Sequence, residues 1–221
     1  AFGDRRGALV AVDPNDGSVL AFLSKPGYDP KLFSLGITRE NWRVLQESSD
    51  RPLFNRAIAG MYPPGSTMKP FFALAGLESG ARTPSWTMAD PGYFTIKGAK
   101  HRFRDWKKEG HGIVNAHKAI VESCDTYFYQ LANDLGIEVL YQYSTLFGFG
   151  AQTGIDIVGE YSGLAPDPVW KQKRFGQKWY LGDTISVGIG QGYNLVTPTQ
   201  LAVATGGLAN GSNVFVPRLV Q

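Results

Sequence analysis

Apolar positions along the chain come in short runs broken by glycine and proline. Residues 8–12 are apolar and β-prone, Asp13-Pro14-Asn15-Asp16-Gly17 is a strong turn signal, and residues 18–24 read as a returning strand, so a hairpin is expected. Residues 26–58 carry scattered Pro, Asp and Asn and read as irregular, with a short helix around 40–47. Pro63-Pro64-Gly65-Ser66 breaks the chain sharply. Residues 67–77 then run mostly apolar towards Gly80, which predicts a helix starting at Ser66, with Pro70 tolerated in its first turn. Residues 85–112 show no sustained period and read as an excursion with short strands. Helices are expected over 114–121, over 123–135 closed by Gly136, over 138–147 closed by Gly148, and over 198–206 after the glycine-rich run 188–192. No internal repeat is visible. A hairpin followed by consecutive helices indicates an α+β fold rather than alternating βαβ units.

Composition narrows the function classes. The 221 residues suffice for one sizeable domain, and 43% hydrophobic with 19% charged residues is ordinary for a globular core. The 27 glycines stand above the usual share of roughly 7%, and the plentiful aromatics assign them to turns rather than disorder. A net charge of +3 is too small to make nucleic acid the expected partner, and Lys107-Lys108 reads as a solvated face. The single cysteine, Cys124, excludes an internal disulfide. No apolar run is long enough to span a membrane and no signal peptide opens the chain. With its start at Ala1 and its end at Gln221, each next to a strand-like run, the chain reads as a fragment of something longer.

Ser66-Thr67-Met68-Lys69 has the spacing Ser-x-x-Lys. On a helix, positions three apart share a face, so the Lys69 amine would stand beside the Ser66 hydroxyl. A serine hydroxyl needs a base to become a nucleophile, and lysine serves when burial or a neighbouring cation favours its neutral form. A helix N-terminus at Ser66 would favour developing negative charge. Taken alone, the pattern is equally that of an N-cap serine with a surface lysine. Ser123-Cys124-Asp125 opens a later helix and adds a second hydroxyl and a carboxylate; by itself it too reads as an N-cap with a first-turn acid.

The company of these segments changes the balance. Tyr62 to Pro70 resembles the first motif of class B penicillin-binding proteins, and Ser123-Cys124-Asp125-Thr126-Tyr127-Phe128 resembles their second. Gly188-Ile189-Gly190-Gln191-Gly192 with Thr197-Pro198-Thr199-Gln200 is similar to a further signature of that family. Arg104-Asp105-Trp106-Lys107, Gly110-His111-Gly112, residues 170–175 and residues 179–184 resemble the members that serve rod elongation in Gram-negative bacteria. The resemblance covers essentially the whole chain, with its motifs in family order.

The resemblance implies a serine β-lactamase/D,D-transpeptidase-like fold, an antiparallel sheet with flanking helices and an all-α region. It implies a D,D-transpeptidase that cross-links peptidoglycan stem peptides and is acylated by β-lactams at Ser66. Lys69 would be the base, and Ser123 would relay a proton towards the leaving amine. The second motif is commonly Ser-x-Asn, and the Asp125 found here would pair with Lys69 and hold its charge. The third motif, Lys-Thr/Ser-Gly, is absent from the 221 residues, so its strand and half of the oxyanion hole are expected to be missing and acylation impaired. Residues 1–221 are then one transpeptidase domain, truncated or with segments omitted. The parent would carry an N-terminal membrane anchor and pedestal, place this domain in the periplasm at the inner membrane, and work with a SEDS-family glycosyltransferase and elongation scaffold proteins.

A metal site is read from residue chemistry. Asp90, Asp105, His111 and Cys124 form a ligand set suited to a structural zinc that would pin the 85–112 excursion to the second-motif helix. His101 is the alternative ligand, and His117 is expected on a helix surface. The competing functions are a β-lactam-hydrolysing enzyme, for which no deacylating base is evident, and a β-lactam sensor or silent scaffold, which the intact Ser66, Lys69 and Ser123 disfavour.

Overall fold

The hairpin forms where the short apolar run and the turn signal place it. In the computed structural model, which describes Gly3, residues 5–34 and residues 36–220, strands β1 (Gly7–Val12) and β2 (Val19–Lys25) pair antiparallel with a register shift at Ala11/Val12. Ala1 and Gln221 lie outside the described residues. Asp13 holds the turn, its carboxylate accepting from the Asn15 amide at 2.8 Å. Two helices follow, α1 (Lys31–Ser34) and α2 (Arg39–Glu47), the second capped by Thr38, whose hydroxyl accepts from the Asn41 amide. The nucleophile segment is a 3-10 turn, Gly65–Met68, that runs directly into α3 (Lys69–Glu78) with Pro70 in its first turn. The excursion contains four short strands, β3 (Met88–Asp90), β4 (Tyr93–Phe94), β5 (Phe103–Arg104) and β6 (Gly112–Val114), paired β3–β6 and β4–β5, both antiparallel.

Helix α4 spans Ala116–Val121 and α5 spans Asp125–Leu146. The helix expected from 114 starts at Ala116 instead, because Asn115 accepts from the Lys118 amide and caps it, leaving Val114 to β6. The break expected at Gly136 is present inside α5: Gly136 has φ 77°, ψ 170°, a conformation other residues reach only under strain. Two further helices, α6 (Pro168–Phe175) and α7 (Leu181–Val187), precede α8 (Pro198–Ala209). The apolar pattern does not announce α6 or α7. They are marked by their ends: Asp167 caps Pro168 at the start of α6, and Asp183 closes a capping box on the Tyr180 backbone.

The fold is mixed α+β, with small two-stranded antiparallel sheets among the described residues. The described residues group into two compact units. One contains the chain up to Tyr62, Ala151–Gly163 and the chain from Val196; in it α8 lies against β1. The other contains Pro63–Gly150 and Leu164–Leu195, with α5 as its spine between α3 and α7. Phe71 of α3 meets Phe147 and Phe149 edge-on, at centroid distances of 4.9 and 5.1 Å. Phe71, Phe72, Phe128 and Leu131 are fully buried there, each worth roughly 1.5–3 kcal/mol against exposure. Every residue of the candidate site belongs to this second unit.

Candidate active site

The nucleophile turn is held from below by the glycine-rich run. The Gly65 amide donates to the Gly190 carbonyl at 2.9 Å, and a Cβ on Gly190 would stand 2.1 Å from the Gly65 carbonyl oxygen. Only a residue without a side chain permits this approach, which is the physical content of the 188–192 signature. The Thr67 hydroxyl donates to the Pro64 carbonyl at 2.7 Å and tightens the same turn. Ser66 is thereby left exposed while Met68 and Lys69, one turn on, are buried at 1% exposure.

Ser123 sits in an unusual place. The Cys124 amide donates to Ala119 and the Ser123 amide to Ile120, the pair of bonds of a Schellman motif that closes α4. Ser123 occupies the left-handed position of that motif, with φ 54°, where glycine is usual. The N-cap of α5 is Cys124, whose sulfur accepts from the Tyr127 amide, and not Ser123 as expected from the sequence. The local sequence thus carries a serine where backbone preference alone selects glycine.

The hydroxyls and the amine form one hydrogen-bonded chain. Lys69 Nζ donates to Ser123 Oγ at 3.1 Å, and Ser123 Oγ donates to Ser66 Oγ at 2.8 Å. Lys69 Nζ also donates to the Ser123 carbonyl at 2.8 Å and to Asp125 Oδ1 at 2.6 Å. An ammonium has three donors, and these three acceptors use them all. Helical spacing places Lys69 beside Ser66; the structure interposes Ser123, and no hydrogen bond joins Lys69 to Ser66 directly among the described residues. The Ser123 hydroxyl is thus the hydrogen-bonded link between the Lys69 amine and the Ser66 hydroxyl.

If Ser123 is kept for this hydroxyl against backbone preference, Ser123→Gly separates the two demands. A left-handed non-glycine residue costs roughly 1–2 kcal/mol, partly offset by the greater freedom of glycine in the unfolded chain. We expect the variant to hold its stability or gain up to about 1 kcal/mol in urea unfolding, while β-lactam acylation falls about 100-fold or more. A loss of more than about 2 kcal/mol would show that Ser123 is there for structure.

The sequence-derived ligand set also converges. Asp90, Asp105, His111 and Cys124 are all buried, and their ligand atoms lie within 4.8 Å of one another. His111 Nδ1 is 2.8 Å from Asp90 Oδ2 and 3.7 Å from Asp105 Oδ2, and Cys124 Sγ is 3.3 Å from Asp90 Oδ2. The edges of a tetrahedral zinc site are roughly 3.3–3.8 Å, so small adjustments would close this set on an ion. Burial pushes the Cys124 thiol up, and the Asp90 and Asp105 charges push the same way. Asp90 is lowered: burial opposes this, but hydrogen bonds from Thr126, His111 and the Gly92 and His111 amides outweigh it. Two buried carboxylates lie here with a thiol and an imidazole, and a divalent cation would compensate their charge. The four side chains could hold a metal ion. His101 is exposed, edge-on to Phe103, and His117 is exposed on α4; neither joins the group.

One residue of this region was quoted in the sequence without a role. The Trp106 indole N–H donates to the carbonyls of Glu122 and Ser123, both at 3.2 Å, and its ring stands edge-on to His111 at 5.5 Å. Asp105 and Cys124 of the ligand group thus adjoin the two residues, Trp106 and Ser123, that meet at this bond. An exposed tryptophan in a polar, glycine-rich segment was the available signal.

An exposed serine linked through a second serine to a buried lysine, on a helical core beside small antiparallel sheets, is the arrangement expected of the penicillin-binding class. Residues 7–221 match the penicillin binding protein transpeptidase domain family, and the chain belongs to that family. It is 51% identical over 217 residues to the peptidoglycan D,D-transpeptidase MrdA of Acinetobacter baumannii, covering 98% of this chain and 32% of that protein. Among solved structures, PBP2 of Pseudomonas aeruginosa superposes with a TM-score of 0.96 at 47% identity, covering 99% of this chain and 50% of that one. PBP2 of Helicobacter pylori, solved in complex with MreC, superposes with a TM-score of 0.94 at 41% identity, covering 98% of this chain and 40% of that one. The chain spans about a third of the length of the curated relatives it matches. Among the described residues, no helix is long and apolar enough to cross a membrane.

Proposed function

We propose that this chain is the acylating part of a peptidoglycan D,D-transpeptidase of the elongation type. The observation that carries the reading is the continuous chain Lys69–Ser123–Ser66. In the reaction, Ser66 Oγ forms an ester with the carbonyl of the penultimate D-Ala, and the peptide C–N bond breaks. The Ser66 proton passes through the Ser123 hydroxyl to the neutral Lys69 amine, which returns a proton through Ser123 to the leaving amine, and terminal D-Ala departs. An amine of a neighbouring stem peptide then attacks the ester and frees Ser66. A β-lactam follows the same first step, its ring nitrogen taking the proton. Asp125 holds the Lys69 amine in line with Ser123; to act as a base the amine must be neutral, with two N–H groups, so one of its three donated contacts becomes the lone-pair contact that receives the proton.

The Asp90, Asp105, His111 and Cys124 set holds a structural zinc, which would fasten the excursion to the start of α5 and take no part in acyl transfer. The whole chain acts as one transpeptidase domain of a longer protein, whose membrane anchor and pedestal lie outside it and which places it on the periplasmic side of the inner membrane. MreC, the partner of the Helicobacter pylori relative, suggests an elongation scaffold protein as partner here, together with a SEDS-family glycosyltransferase. The 221 residues contain no Lys-Thr-Gly or Lys-Ser-Gly, and a strand of that kind in the longer protein would complete the oxyanion hole.

Intact-protein mass spectrometry after penicillin treatment tests both parts. A longer chain that includes the Lys-Thr/Ser-Gly strand should gain the mass of one penicillin, and its Ser66→Ala variant none. The 221-residue chain should label far more slowly. Unchanged labelling in Ser66→Ala refutes the nucleophile; equally fast labelling of the short chain refutes its impairment.

A further inference from the structure

A second cavity opens beside the nucleophile and has a distinct chemistry. It encloses about 660 Å³ within the unit that carries the site and is lined on one side by Lys100, Arg102 and Arg104, on the other by Tyr129, Ser186 and Gln191. It borders the catalytic residues at two points. Gln191 follows Gly190, which is packed onto Gly65, the neighbour of Ser66. Tyr129 lies one turn along α5 from Asp125, on the same face, and its hydroxyl donates to the Arg104 carbonyl at 3.2 Å. Counting one or two residues from each contact, the cavity begins within about 12 Å of Ser66, close enough for a short extended peptide to occupy both.

The cationic wall has no internal counter-charge. Among the described residues, none of Lys100, Arg102 and Arg104 forms an ion pair, whereas Lys69, Arg82 and Lys171 are each matched to a carboxylate. Arg102 lies over the Tyr93 ring with its charged carbon 4.3 Å from the centroid, which fixes the guanidinium rather than neutralising it. Burial pushes the Tyr129 phenol up, and the Asp125 and Asp105 charges add to this, so Tyr129 adds no negative charge to the cavity while its hydroxyl stays on the Arg104 carbonyl. Three cations without a partner carboxylate among the described residues, lining one cavity with the Gln191 amide, form a receptor for carboxylates on an extended backbone.

We propose that this cavity is a subsite for an acidic peptide and recognises carboxylates of the stem peptide beyond the bond that Ser66 attacks. The inference rests on the transpeptidase reading and assigns the substrate chemistry next to the same nucleophile. It also separates two classes of acyl donor. A β-lactam fills the space at Ser66 and does not reach the cationic wall; a stem peptide does. The carboxylates could be those of the donor stem or of the acceptor stem, which share this chemistry.

The test uses the longer protein with a synthetic stem pentapeptide, and with the same peptide whose side-chain carboxylates are amidated. D-Ala release from donor alone and transfer to an acceptor amine are followed separately, with penicillin acylation rate as the reference. The wild type should prefer the carboxylate form at least tenfold in kcat/KM, mostly through KM, and lose that preference as salt is raised. In Arg102→Gln/Arg104→Gln, the ratio of peptide to penicillin reactivity should fall about tenfold, while the amidated peptide is affected less than twofold. A fall confined to D-Ala release places the donor stem in the cavity; one confined to transfer places the acceptor there. Equal wild-type activity on both peptide forms overturns the proposal without any variant. So does an equal loss on both forms in the double variant. If penicillin does not acylate Ser66, the transpeptidase reading fails separately; calorimetric titration of wild-type protein with the two peptides then tests the cavity, and equal affinity overturns it.

Discussion

Replacing Lys69 with methionine will abolish acylation and lower stability at once, and the two effects will respond differently to a second substitution. Lys69 is 1% exposed and Asp125 Oδ1 lies 2.6 Å from its amine, with the Phe128 ring 5.4 Å away. Methionine matches the length of the lysine stem and fills the same space, so the packing loss is small. What remains is a carboxylate that has lost its cation. Removing one partner of a buried pair costs roughly 3–5 kcal/mol. Asp125 retains 17% exposure, so water recovers part of its solvation and the lower end applies. For a chain of this size that is a fall in Tm of about 6–10 °C. Lys69→Met/Asp125→Asn should regain most of this, because the orphaned charge is gone. Acylation should remain at least about 1,000-fold down in both, since neither supplies a proton acceptor to Ser123. Penicillin labelling of Lys69→Met above a tenth of the wild-type rate would remove Lys69 from the chemistry.

Stripping the metal will be the second large effect, on stability rather than on the acyl chain itself. Purified protein should contain one zinc per chain, and a strong chelator should lower Tm by about 10 °C, the value for roughly 4 kcal/mol of linked binding. Cys124→Ala should contain no zinc and melt near the chelated wild type. The sign of the pH dependence follows from the thiol. In the metal-free site, burial and the Asp90 and Asp105 charges push Cys124 up, so the sulfur is protonated throughout the neutral range. Zinc takes a thiolate, so binding must expel that proton. Affinity should therefore fall about tenfold for each pH unit lost between pH 8 and pH 6, and the melting advantage of the zinc-loaded protein should shrink with it. Absence of zinc from wild type and Cys124→Ala alike ends the proposal. A metal-bound site should also steady Ser123, because Trp106 links the two through the Ser123 carbonyl.

Local sequence set much of this protein. The hairpin followed from a short apolar, β-prone run and a five-residue turn signal, and the break at Gly136 from a glycine that closes the first helical stretch. The Ser-x-x-Lys and Ser-x-Asp segments pointed to Ser66, Lys69, Ser123 and Asp125 only through the family resemblance of their company, since each alone reads as a helix cap, and the structure brings all four together. The ligand set Asp90, Asp105, His111 and Cys124 was found from chemistry alone, although its spacing follows no short motif. Helices α6 and α7 were not legible, since their apolar positions face neighbours supplied by distant segments and only their caps are local.

Tertiary structure decided how these parts act together. Helical periodicity brings Lys69 to the face of Ser66, but the left-handed turn at Ser123 inserts a hydroxyl between them, and that turn is set by the Schellman closure of α4. Trp106 gained a role only because the excursion folds back onto residues 122 and 123. The cationic wall of Lys100, Arg102 and Arg104 became a cavity only when α5 and the glycine-rich run closed its other side. Sequence determines which groups are available and where the backbone must turn. Distances between groups far apart in the chain depend on packing, and acyl transfer depends on distances of about 3 Å.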